Sequence, residues 1–194
     1  MMLAIAVAII TSHVVSPYVI YTWGIPKLGW WPRGSSLGTT NSLIACYEGG
    51  KVELFKNPVS WKNTLPSVVA FRNERVIVGE KARELVGKDP SNVFAFFKRK
   101  MGTPENYHVP NLKMDKTPIE LSACVLKELK SFLLDGRVPE AVVITIPASF
   151  DTIQSNATKK AGYEAGFKEV ALLQEPVAAS LAFANTVEGE MLEG

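Results

Sequence analysis

The chain has almost none of the residues from which metal and redox sites are built. Two histidines and two cysteines occur in 194 residues. Cys46 and Cys124 lie far apart among apolar neighbours, and His13 and His108 are isolated. No spacing among them suggests a zinc site or a disulfide framework. Both cysteines read as reduced core residues, which suits a cytoplasmic compartment. Charge of one sign is missing too: a formal net charge of +2 gives no electrostatic footprint for nucleic acid. No low-complexity tract occurs. With 47% hydrophobic and 21% charged residues, the chain is globular and long enough for one buried domain, or one and a half.

Charge is also absent locally. "MMLAIAVAIITSHVVSPYVIYTW", residues 1–23, carries no charged side chain. As a helix it would span roughly 34 Å, enough to cross a bilayer. Trp23, Trp30 and Trp31 would then sit at an interface, with Lys27 and Arg33 beyond them. No Lys or Arg precedes the run, which argues against a cleaved signal peptide. Pro17 and the polar trio Thr11–Ser12–His13 argue against a span. Residues 1–33 are therefore either a membrane-spanning leader, leaving the rest of the chain in the cytoplasm, or an extension foreign to the fold.

Beyond residue 34 the chain is patterned. "SLIACYEGGKVELF" reads as two strands around Gly49–Gly50. "PSVVAF" and "RVIVG" are short β-rich runs flanking Arg72–Asn73–Glu74, and helical signals run from "EKARELVGK" through Phe94–Arg99. Thr117–Pro118–Ile119–Glu120 is a helix start with cap, proline and capping-box acid in place. Ile119, Ala123, Leu126, Leu129 and Leu133 then share a face, and Asp135–Gly136 ends the run. "EAVVITIP" is a buried strand, residues 150–165 a helix, "EVALLQ" a second buried strand, and "EPVAASLAFAN" a helix with Pro176 in its first turn. That order predicts an α/β fold: a β-meander feeding a mixed sheet through a βαβα unit.

"RGSSLGTTNSLIACYEGG", residues 33–50, combines flexible residues at 34–38 with hydroxyl-bearing ones at 39, 40 and 42. Gly38 permits close backbone approach, and consecutive N–H groups through Thr39, Thr40 and Asn41 can form an anion-binding nest. Taken alone, this stretch fits an ordinary turn or hairpin better than a phosphate loop. No acidic residue lies between Arg33 and Tyr47 to hold a metal ion.

Four separated motifs, in order over about 150 residues, resemble the ATPase domain of the seventy-kilodalton heat-shock chaperones, the DnaK-type family of the actin-like superfamily. "LGTTNS" (37–42) is similar to that family's first phosphate loop, and "FFKRKMGT" (96–103) to the segment with its catalytic lysine. "VVITIPASFDTIQSNATKKAGYEAGF" (142–167) and "LLQEPVAASLAFA" (172–184) are similar to its later strand–helix segments.

The resemblance implies an actin-like ATPase (ribonuclease H-like) fold, of which residues 34–194 would be the first lobe. It implies ATP with Mg2+ as cofactors, the phosphates being held by Gly38, Thr39, Thr40 and Asn41. By the same resemblance Lys98 is catalytic, positioning water and offsetting γ-phosphate charge. Glu175, at a strand end typical of ligand positions, organises the water and magnesium shell. Pro147 belongs to the hinge that relays nucleotide state. Without the resemblance, Lys98 reads as part of a solvated basic turn, Glu175 as a helix N-terminal acid and Pro147 as a strand stop. In full-length relatives the implied partners are unfolded client proteins, J-domain co-chaperones and nucleotide-exchange factors, in a stress-response chaperone role.

Three departures qualify this. Ser36 stands where the family has its magnesium-shell aspartate, and a neutral hydroxyl does not balance a divalent cation. "LGWWPRG" brings Pro32 and Arg33 to a place where a central strand is expected, so the resemblance is expected to stop near residue 34. The chain also ends before the family's second phosphate loop, so the expectation is a truncated lobe that binds ATP weakly and does not hydrolyse it alone. A membrane-tethered, non-catalytic interaction module is the rival reading. A sugar kinase of the same superfamily is disfavoured by "TIPASF" and "EPVAASLAFA".

Overall fold

A four-residue strand between two longer ones organises the main sheet. The computed structural model describes residues 3–11, 14–22, 33–48, 51–133 and 140–180. Its first two strands are Leu3–Thr11 (β1) and Val14–Thr22 (β2), paired antiparallel from Leu3 opposite Thr22 to Thr11 opposite Val14. Of the two readings of this leader, the single membrane-spanning helix is thereby corrected: Leu3–Thr11 and Val14–Thr22 are strands. Isoleucine, valine and threonine dominate both runs and favour extended backbone, while Pro17 lacks the N–H that a helix interior would need. Among the described residues no helix is long and apolar enough to cross a membrane.

The main sheet begins with Arg33–Ser36 (β3), Asn41–Glu48 (β4) and Lys51–Leu54 (β5), a meander in which β3 pairs antiparallel with β4, and β4 with β5. The Gly49–Gly50 turn expected between β4 and β5 lies outside the described residues. Leu65–Pro66 (β6) adds to the far end of β4, and Val68–Arg72 (β7) and Arg75–Val78 (β8) form the next hairpin. Asn73 and Glu74 turn it with φ of 48° and 61°, the left-handed pair that a tight hairpin requires.

The helical reading of the next segment holds only in part. Glu80–Arg83 (α1) is a single turn, and Val93–Ala95 (β9) extends the second sheet by pairing with β7. Packing decides this: Phe94 meets Phe71 and Tyr107 edge-on, at centroid distances of 5.9 and 5.6 Å, from a strand position. Tyr107–Val109 (β10) and Met114–Lys116 (β11) form a small hairpin before Pro118–Ser131 (α2). The expected capping box is present in α2: Glu120 N–H donates to Thr117 Oγ1 at 3.2 Å, and Thr117 N–H to Glu120 Oε2 at 2.8 Å. The buried face carries Leu121, Val125, Leu126 and Leu129, with Ile119 only half-buried at its margin.

Ala141–Ile146 (β12), Thr152–Glu164 (α3) and Glu169–Gln174 (β13) make the expected strand–helix–strand unit. β12 pairs parallel with both β13 and β3, giving the order β13-β12-β3-β4-β5. The expectation that Pro32 and Arg33 displace the central strand is therefore corrected. Pairing begins at Arg33, after the proline, and Arg33–Ser36 runs between β12 and β4. Helix α3 sits close on this sheet because residue 162 is glycine. A Cβ there would lie 2.8 Å from Val170 Cγ2 and 3.1 Å from Ile144 Cδ1. Residues 175–180 are helical, as expected, and the expected continuation to residue 185 lies outside the described residues. The architecture is a mixed α/β fold with one principal sheet and several small ones.

Candidate functional site

Parallel pairing brings three strand ends to one edge of the main sheet. Ser36 of β3 lies in register with Thr145 of β12, and Ile146 with Gln174 of β13. The 37–41 loop, Pro147 and Glu175 therefore leave the sheet on the same side, at the carboxyl ends of parallel strands. Open α/β sheets offer ligands their crevice there.

The loop is tightly folded. Leu37 is fully buried and anchors its start. A Cβ at residue 38 would lie 1.9 Å from the Asn41 carbonyl oxygen, so only glycine allows this approach. Gly38 N–H donates to Ser42 Oγ at 3.2 Å, and Gly38 C=O accepts from Ser67 Oγ–H at 2.7 Å. Ser67 N–H donates to Thr40 C=O at 2.9 Å. Thr39 and Asn41 are half-buried and Thr40 is exposed. Among the described residues the N–H groups of Thr39 and Thr40 have no partner. The Gly38 N–H, by contrast, is already engaged by Ser42.

Lys98 arrives from another part of the chain. The turn Phe97–Lys100 follows Phe96, whose φ is 59°, and is pinned by Phe97 and Met101, both in the core. Lys98 is not the solvated basic residue its neighbours suggest: it is 3% exposed. Its Nζ lies 3.1 Å from Glu175 Oε1 and 5.7 Å from the centroid of the Phe150 ring. Burial pulls the lysine pKa below its ordinary value, and the charge and hydrogen bond of Glu175 oppose that pull. The Glu175 side chain remains 31% exposed. Lys98 and Glu175 thus bond to each other, and among the described residues no hydrogen bond joins either to the 38–41 loop.

These side chains suit an oxyanion. A close-approach glycine, unengaged backbone N–H groups and a desolvated cation are the parts from which phosphate sites are made. They do not suit a divalent cation in the same way. Glu175 is held by Lys98, Ser36 offers no charge, and no cluster of three or more His, Cys, Asp or Glu occurs among the described residues. Sequence alone does not single out Ser42, Ser67 or Phe150 as site residues. Ser67 carries no motif signal, and only the folded pairing of β4 with β6 brings it to the loop.

The Hsp70 protein family profile matches residues 33–188, beginning at the first residue of β3. The chaperone protein DnaK of Metamycoplasma hominis is 42% identical over 152 residues, covering 77% of this chain and 25% of the relative. That of Ureaplasma parvum serovar 3 is 42% identical over 153 residues, covering 77% and 24%. That of Mesomycoplasma hyopneumoniae is 41% identical over 162 residues, covering 81% and 26%. The chain spans about a quarter of the length of these relatives. With a family match across most of its length and the matched segments meeting at one sheet edge, the chain belongs to the Hsp70 family.

Proposed function

We propose that residues 34–194 are the first lobe of an Hsp70-type nucleotide-binding domain with the actin-like ATPase fold, and that the 37–41 loop grips the phosphates of ATP. The observation that carries this is the convergence of that loop with the Lys98–Glu175 pair at the carboxyl edge of the parallel strands. An ammonium has three N–H donors. One of them serves Glu175, which leaves two for phosphate oxygens. A cation already stripped of water needs little reorganisation when charge develops on a transferring phosphoryl group. In this reading Glu175, part-exposed beside it, orients the attacking water; its exposure and its bond to Lys98 support that role. Across a whole chaperone this site would drive ATP-dependent handling of unfolded clients with J-domain and exchange-factor partners, in the cytoplasm.

The chain itself is proposed to bind ATP weakly and to turn none over alone, because Ser36 supplies no carboxylate for magnesium. Calorimetric titration of the 194-residue chain with ATP, with and without magnesium, tests this. The expected Kd is around millimolar, about −4 kcal/mol, and insensitive to magnesium. Tight, magnesium-dependent binding would overturn the proposal.

A further inference from the structure

Two buried serines close a hydrogen-bonded circuit through the phosphate loop. Ser67 has one hydroxyl proton, and it is given to Gly38 C=O at 2.7 Å. The 2.8 Å contact between Ser42 Oγ and Ser67 Oγ must then run from the Ser42 hydroxyl to the Ser67 oxygen. Ser42 Oγ in turn accepts Gly38 N–H at 3.2 Å. The circuit leaves Gly38 by its N–H, passes through both hydroxyls and returns to Gly38 by its C=O. Both serines are sealed from solvent, at 0% and 2% exposure, so water does not compete for these bonds.

The circuit also sets the direction of the loop's other donors. Peptide units are planar and trans, so a fixed carbonyl fixes the N–H on the far side of the same unit. Ser67 holds two carbonyls, Gly38 C=O through its hydroxyl and Thr40 C=O through its backbone N–H. Thr39 N–H shares a unit with the first and Asn41 N–H with the second. Both are therefore turned away from Ser67, towards one side of the loop.

We propose that Ser42 and Ser67 are positioning residues for anion binding. Through Gly38 C=O they aim the unengaged backbone N–H of Thr39 at a phosphate oxyanion before it arrives, lowering the ordering cost of binding. This rests on reading the loop as a phosphate site. The couplings reach from β4 to the segment joining β6 and β7, so the second sheet helps hold the loop.

The test uses inorganic tripolyphosphate as probe and the full chain, with Ser42→Ala, Ser67→Ala and the double variant. Affinity comes from NMR titration of the Thr39 amide, and amide exchange is read at Gly38 and, as a reporter of the intact fold, at Ile144 of β12. Each single variant should speed Gly38 exchange and weaken tripolyphosphate about tenfold, leaving Ile144 exchange unchanged. The double variant should lose little more than a single one, because either cut opens the same circuit. Alanine variants that bind as wild type does would overturn the positioning role. A double loss equal to the product of the singles would overturn the circuit. Failure of the wild-type chain to bind tripolyphosphate would instead remove the phosphate reading, and this proposal with it.

Discussion

Lys98 and Glu175, 77 residues apart in sequence, meet at 3.1 Å, yet the two ends of the pair stand in different media. The lysine side chain is 4% exposed and the glutamate 31%. Removing either partner therefore leaves a different residue behind. Without Lys98, Glu175 can be hydrated where it is. Without Glu175, the compensation left to a buried ammonium among the described residues is the Phe150 ring.

The first prediction is this asymmetry in stability. Glu175→Ala should lower unfolding free energy by on the order of 3 kcal/mol, the cost of stranding a buried charge. Lys98→Met should change it by less than about 1 kcal/mol, because it removes a desolvated charge and keeps the packing volume. Urea denaturation of the two variants at pH 7 measures the difference. The pH dependence has a defined sign. The folded pKa of Lys98 lies below its unfolded value, so the unfolded state binds more protons between the two, and stability rises with pH across that window. Glu175→Ala, which removes the opposing charge, should widen it downward.

This pair also shows where sequence stops being legible. Lys98 sits in "FFKRKMGT" among Arg99 and Lys100, and composition alone makes it a solvated turn. Its burial comes from Phe97 and Met101 entering the core on either side, a tertiary fact. Glu175 is readable, since it succeeds a buried strand in a β–α order. The capping box of α2 is readable to the residue because its signal is local. Ser67 is not: its role depends on β6 pairing with β4, which brings residues 25 positions apart into hydrogen-bond contact. The strand at Arg33–Ser36 is hidden in the sequence by the neighbouring Pro32, whereas pairing needs only the backbone groups from Arg33 onward.

A second prediction concerns the start of α2. Burial pushes the Glu120 carboxyl pKa upward, but hydrogen bonds from Lys116 and Thr117 outweigh that and hold it below the usual range. A depressed carboxylate contributes stability that is present above its unfolded pKa and lost as pH falls through the folded one. Thr117→Ala should cost about 1 kcal/mol at pH 7, the usual worth of a cap. Glu120→Gln should be less stable than wild type at neutral pH, and the gap should narrow as pH falls from the ordinary carboxylate range through the depressed folded pKa of Glu120. Denaturation curves at pH 7 and pH 3 give both comparisons. Equal gaps at the two pH values would mean that the charge of Glu120 contributes nothing.

A third prediction isolates the close turn at Gly38 from the hydroxyls around it. A methyl group at this residue would sit 1.9 Å from the Asn41 carbonyl oxygen, which is backbone and has no rotamer to escape into. Gly38→Ala must therefore open the loop between Leu37 and Asn41, and overpacking of this kind costs about 1–3 kcal/mol. The loop is anchored by Leu37 and by β4, both in the core, so the sheet should survive the change. The expected outcome is a lowered but cooperative melting transition with tripolyphosphate binding lost. Calorimetry and an amide-resolved titration would show the two effects separately. A variant that melts lower yet binds tripolyphosphate as wild type does would mean that the anion is held elsewhere than by the 37–41 backbone.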